Sequence, residues 1–138
     1  METAKPILII DGQGGGMGRT LITQLRAAGC TREILAVGAN AAATAAMRKA
    51  GANAGATGEN AVLVNAPRAA VIAGPLGIVL ADSLLGECTA AMAAAVARSP
   101  AHKVLVPVSR CGVSVAGVEE KPLADYIADA VQRILALA

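Results

Sequence analysis

The stretch that most restricts the fold lies near the start of the chain. An unbroken apolar run, Ile7 to Ile10, leads into Asp11-Gly12-Gln13-Gly14-Gly15-Gly16-Met17-Gly18, and a helical pattern follows at once. A short continuous apolar run suits a parallel strand buried on both faces. Over 17–28, Leu21, Ile22, Leu25 and Ala28 recur at helical spacing, and Gly29 stands where a helix closes in the left-handed conformation. Strand, glycine turn and helix in this order open a βαβ unit, and the carboxyl end of the strand is where such folds receive ligands.

The rest of the chain repeats the alternation. Strands are expected at Ile34 to Val37, Asn53 to Ala56, Ala70 to Ala73 and Lys103 to Val108, with a short sixth at Val113 to Val118. Helices are expected at Ala41 to Ala50, at Gly58 to Asn65 capped by Thr57, after the cap Thr89 as far as Arg98, and at Leu123 to Leu137. Val62-Leu63-Val64 suits a strand equally well by propensity. The fold class is therefore α/β: a three-layer, doubly wound, mostly parallel sheet of five or six strands, Rossmann-like, in a single domain over 1–138.

Glycines in the first turn permit positive φ and remove the Cβ atoms that would hold an anion away. The helix after the turn offers unpaired N–H groups and a partial positive charge. Gly12 through Gly18, with Gln13 and Met17 between the glycines, are thus expected to line a phosphate, and Arg19 to assist it. The G-x-G-x-x-G pattern fails at Met17, but Gly12-x-x-Gly15-x-x-Gly18 fits, as does Gly12-x-Gly14-x-x-x-Gly18. Both spacings resemble those of NAD(P)-dependent dehydrogenases, which makes NAD(P) the leading ligand. The acid that usually ends the second strand and holds the ribose is missing, and Asn40 is the substitute in that place. A Walker-type reading fails because Arg19 replaces the lysine and Gln13 the first glycine.

Asp11 at the mouth of this turn either caps the loop backbone or takes part in metal or acid–base chemistry. Gly74-Pro75, after the fourth strand, brings backbone toward a ribose or ring. Asp82, Ser83 and Glu87 come just beyond and are expected to face the same cleft, while Thr57-Gly58-Glu59-Asn60, at the same rim, is expected to be a helix start with local caps. Arg110 and Cys111 follow the fifth strand, where the arginine is placed to bind an anion and to lower the thiol pKa, against the alternative of a buried inert thiol. Asp11, Arg110 and Cys111 are the catalytic candidates if the chain is an enzyme acting on a small phosphorylated or carboxylated metabolite. His102 and Cys30 fall at the opposite edge of the sheet. No metal-ligand spacing is present.

Charge and composition bound the partners. Twelve basic and ten acidic residues are interspersed, and Tyr126 is the only aromatic residue, so neither a basic stripe nor stacking platforms for nucleic acid exist. The apolar run from Ala69 to Leu85 is broken by Gly74-Pro75, Gly77 and Asp82, which argues against a membrane span. Three cysteines without an export pattern suggest reduced thiols in the cytoplasm. A core of Ala, Val, Ile and Leu buries little area per side chain, so a homo-oligomer, such as a dimer, or a partner subunit is expected.

The blocks DGQGGGMGR (11–19), GANAAATAAMRKAGA (38–52), GATGEN (55–60), GPLGI (74–78), GECTAAMAAAVARS (86–99) and VPVSRC (106–111) resemble a bacterial family of small proteins of unknown function. The resemblance implies a compact Rossmann-like domain standing alone. It implies a binding or sensing role or a partner subunit and carries no established activity; a non-catalytic assembly component that associates through its Ala-rich faces is the remaining alternative.

Overall fold

The computed structural model describes residues 4–107 and 112–138. Its strands are β1 Ile7–Asp11, β2 Ile34–Gly38, β3 Ala54–Thr57, β4 Val71–Pro75 and β5 His102–Val106. They form one five-stranded sheet in the order β3-β2-β1-β4-β5, and every pairing is parallel. The helices are α1 Gly16–Ala27, α2 Ala41–Ala50, α3 Glu59–Asn65, α4 Ala90–Arg98 and α5 Leu123–Leu137. This is the Rossmann-like, doubly wound α/β fold expected from the alternation.

β1 is central and buried along its whole length. Successive side chains of a strand point to opposite faces. Ile7 and Ile9 accordingly pack with Leu21, Ile22 and Leu25 of α1, Met47 of α2, and Ile127, Val131 and Ile134 of α5. Leu8 and Ile10 pack on the other face with Val62 of α3 and Met92, Ala93 and Val96 of α4. Each fully buried Ile or Leu is worth about 1.5–3 kcal/mol, so the two-sided burial of β1 anchors the sheet. Strand order reverses direction between β1 and β4. The crevice above that point is where ligands bind in open α/β sheets.

Several expected boundaries shift, for physical reasons. The sixth strand at 113–118 does not form: the segment is a turn, with the Val118 N–H donating to the Val115 carbonyl and Gly117 at φ 85°. Its valines stand exposed, because β-branched residues make a strand only when an edge is there to pair with. Asn53 lies outside β3, and its Oδ1 accepts from the Ile34 N–H and from Arg26. Thr57 ends β3 rather than capping α3, and its hydroxyl pairs with that of Thr44 at 2.7 Å. The ambiguous 62–64 stretch is helical, with Val62 buried and Val64 turned outward. Thr89 caps α4 as expected, accepting from the Met92 N–H. β5 begins at His102, and Val108 lies outside the described residues.

Candidate functional site

The glycine turn joins β1 to α1 at the carboxyl edge of the sheet, beside the β1–β4 crossover. Asp11 organises it from within. The carboxylate is 6% exposed; Oδ1 accepts from the Gly12 N–H at 2.8 Å and Oδ2 from the Gly18 N–H at 2.7 Å. Gly15 at the start of α1 has no side chain to cap the helix, and Asp11 does so from four residues upstream. Burial raises the Asp11 carboxyl above its ordinary range. The Gly18, Gly12 and Met17 N–H groups pull it back, and the Glu87 charge adds to the rise. With both oxygens engaged by backbone, Asp11 is occupied as a loop cap.

The glycines divide into two sets. Gly12, Gly15 and Gly18 are buried and crowded. A Cβ on Gly15, whose φ is 72°, would meet the Ala43 backbone at 2.8 Å, and one on Gly18 would meet the Met47 sulfur at 2.4 Å. Gly15 and Gly18 serve the close approach of α1 to α2, whereas a Cβ on Gly12 would meet Glu87 and Leu84. Gly74 belongs with them: its Cβ would lie 2.2 Å from the Ile10 carbonyl oxygen, so it lets β4 close on β1. Gly14 and Gly16 are exposed, and a Cβ on either would meet nothing within 4 Å. Their N–H groups have no partner among the described residues, and Gly16 opens α1. Two unpartnered N–H groups therefore stand at a helix N-terminus, on exposed residues without side chains.

On the β2 side the turn is closed. Glu87, 74 positions further along the chain, reaches back so that Oε1 accepts from the Gln13 N–H at 2.6 Å. Its Oε2 accepts from Asn40 Nδ2, also at 2.6 Å. Asn40 donates as well to the Gln13 carbonyl at 2.8 Å and caps α2 by accepting from the Ala43 N–H at 2.9 Å. The residue expected to meet a ribose is thus committed to this network.

On the β4 side the turn is open. A cleft of about 620 Å³ runs from Asp11 and residues 12–17 to Pro75, Leu84, Leu85 and Leu123. One wall offers backbone N–H groups and the other is apolar. The segment carrying Leu84 and Leu85 is strained: Asp82, Leu84 and Leu85 sit at φ 64°, 57° and 56°, in the left-handed region. Leu85 is 95% exposed. Neither this apolar wall nor the Glu87 contact is signalled by any local motif. Only the rim position of Glu87, just after the fourth strand, pointed toward it.

The structure brings together Asp11, Gly12 through Met17 and Pro75 around the cleft. Arg19 is exposed in the first turns of α1 and does not line it. Arg110 and Cys111 lie outside the described residues. A second hollow, of about 540 Å³, lies along Lys103, Leu105, Tyr126, Asp129 and Arg133, and shares no lining residue with the glycine turn. Among the described residues no three His, Cys, Asp or Glu side chains gather as a metal-binding group. Nor is any described helix long and apolar enough to cross a membrane.

No curated protein matches the chain. Among solved structures it is similar to a dodecameric FMN-dependent Ubix-like decarboxylase from Escherichia coli O157:H7, at a TM-score of 0.50 and 20% identity. That likeness covers 94% of this chain and 93% of the other, and at this identity it speaks to the fold alone. The family model described as a domain of unknown function (DUF3842) matches residues 6–138, and the chain belongs to that family.

Proposed function

We propose that this chain binds a nucleotide-type ligand in the cleft beside the glycine turn, with the ligand phosphate on the Gly14 and Gly16 N–H groups. The observation that carries the reading is the pair of open glycines. Their N–H groups are unpartnered, and the turn around them is already built by three other, crowded glycines. A turn needed for packing alone requires only Gly12, Gly15 and Gly18.

The glycine spacing points to NAD(P), but the cleft favours a mononucleotide. A dinucleotide places its second nucleoside over the end of β2. Here the Glu87–Asn40–Gln13 network fills that position, while the apolar Pro75, Leu84, Leu85 and Leu123 wall accepts one flat ring on the β4 side. Flavin mononucleotide is the first ligand to try, and the FMN dependence of the fold neighbour supports that choice. Bound flavin would supply redox or electrophilic ring chemistry, while the chain's own residues would hold the phosphate and exclude water from the ring.

Copies of the chain are expected to associate. Leu85 at the cleft mouth and Leu123 beside it, 95% and 47% exposed, support this, as does the dodecameric state of the fold neighbour.

Fluorescence titration of purified protein with FMN tests the reading. Wild-type protein is expected to quench flavin emission saturably. Gly16→Val puts a branched side chain into the open space, and is expected to weaken binding about tenfold or more while the melting temperature holds, since a Cβ there overlaps no atom. A variant that binds as wild type does, or a wild type that binds no nucleotide, would reject the site.

A further inference from the structure

We propose that Glu87 is a specificity-determining residue: its carboxylate closes the β2 half of the glycine turn to phosphate and confines the site to mononucleotides. This rests on the nucleotide reading above. The carboxylate occupies the surface a dinucleotide must use. Oε1 holds the Gln13 N–H and lies 2.8 Å from where a Cβ of Gly12 would stand, so it sits over the Gly12-Gln13 peptide itself. Its Oε2 ties it to Asn40, two residues past β2, where the acid of a dinucleotide fold would otherwise meet the ribose.

The sign of the charge sets the role. A phosphate entering over Gln13 would meet a fixed negative charge within hydrogen-bond distance, and two anions on one N–H group repel strongly. The Gly14 and Gly16 N–H groups lie past this block, on the cleft side, and stay accessible. The carboxylate is held from both sides. Asn40 is fixed by capping α2, and the Gln13 carbonyl accepts from the same Asn40 amide. Such a group is placed before any ligand arrives, as a discriminating element must be. Glutamate on a third element thus stands near the position from which the acid of β2 is missing, but it faces the loop rather than an open ribose pocket.

Calorimetric titration of wild-type, Glu87→Gln and Glu87→Ala proteins with FMN, NAD and ADP-ribose tests this, with melting curves to confirm that each variant folds. Wild type is expected to prefer FMN. In Glu87→Ala the NAD-to-FMN affinity ratio should rise about tenfold or more, and ADP-ribose should follow NAD. Glu87→Gln keeps the bulk and the acceptor for Gln13 while removing the charge, so its ratio should fall between the two. An unchanged ratio in both variants overturns the proposal. A fall in NAD and ADP-ribose affinity overturns it too, because Glu87 would then be a ribose acceptor. If wild type and variants bind none of the three, the nucleotide reading itself fails, and this inference with it.

Discussion

Asp11 carries a charge into a buried place, and its pH behaviour follows from that. An exposed carboxylate titrates near 3.8, and burial raises this one despite three backbone N–H groups that favour the anion. The folded state therefore holds the proton more tightly than the unfolded chain does. Between 3.8 and the folded value the native state binds more protons, so this group's contribution to stability is lost as pH rises through that window. It returns as pH falls and is complete below the unfolded value, the reverse of a salt-bridged aspartate. Asp11→Asn removes the titration and offers one acceptor oxygen where two N–H groups need one each. At neutral pH it should cost about 1–3 kcal/mol, for the unsatisfied N–H. Urea unfolding should show the gap between wild type and variant widening toward about pH 4. A gap that narrows on acidification would mean that the carboxyl is not raised in the folded state.

At the scale of elements, the turn shows what a sequence can and cannot disclose. The strand–turn–helix unit was legible because burial on both faces leaves an apolar run, and helical packing leaves a period. The Thr89 cap was legible because its signal is local. Which glycine does what was not. Gly15 and Gly14 are adjacent and identical in sequence, yet Gly15 faces the Ala43 backbone and Gly14 faces open space. That difference depends on where α2 lies. Gly15→Ala is therefore expected to cost about 2–4 kcal/mol, from left-handed strain together with overpacking against α2. Denaturant unfolding measures it, and a loss of about 1 kcal/mol or less, no more than left-handed strain alone costs, would show that α1 and α2 can yield. Glu87 was illegible as a partner of Gln13 for the same reason: 74 positions separate them, and only the crossover from β1 to β4 brings them together. The valines of 113–118 misled in the opposite sense. They carry the composition of a strand, but the sheet ends at β5 and they turn instead.

For the whole molecule, the unresolved account is apolar surface that the fold holds out into water at a cost. Leu85 sits at φ 56° with its side chain 95% exposed, between Leu84, also left-handed, and Gly86. A left-handed Leu costs roughly 1–2 kcal/mol, and within one chain this one buries almost nothing in return. A cover over it would offset that cost, and a second copy of the chain is the partner expected for a core poor in large side chains. Leu85→Asn separates the two contributions. Asn tolerates the left-handed conformation, so the stability of the separated chain should hold or rise by up to about 1 kcal/mol. Association should weaken about tenfold or more, because burying a leucine is worth about 1.5–3 kcal/mol. Sedimentation equilibrium reads the second effect and denaturant unfolding the first. A wild type that sediments at the monomer mass of 13.6 kDa would reject association outright. An assembly unaffected by Leu85→Asn would place the contact elsewhere on the surface, and leave the strained leucine to the ligand's ring.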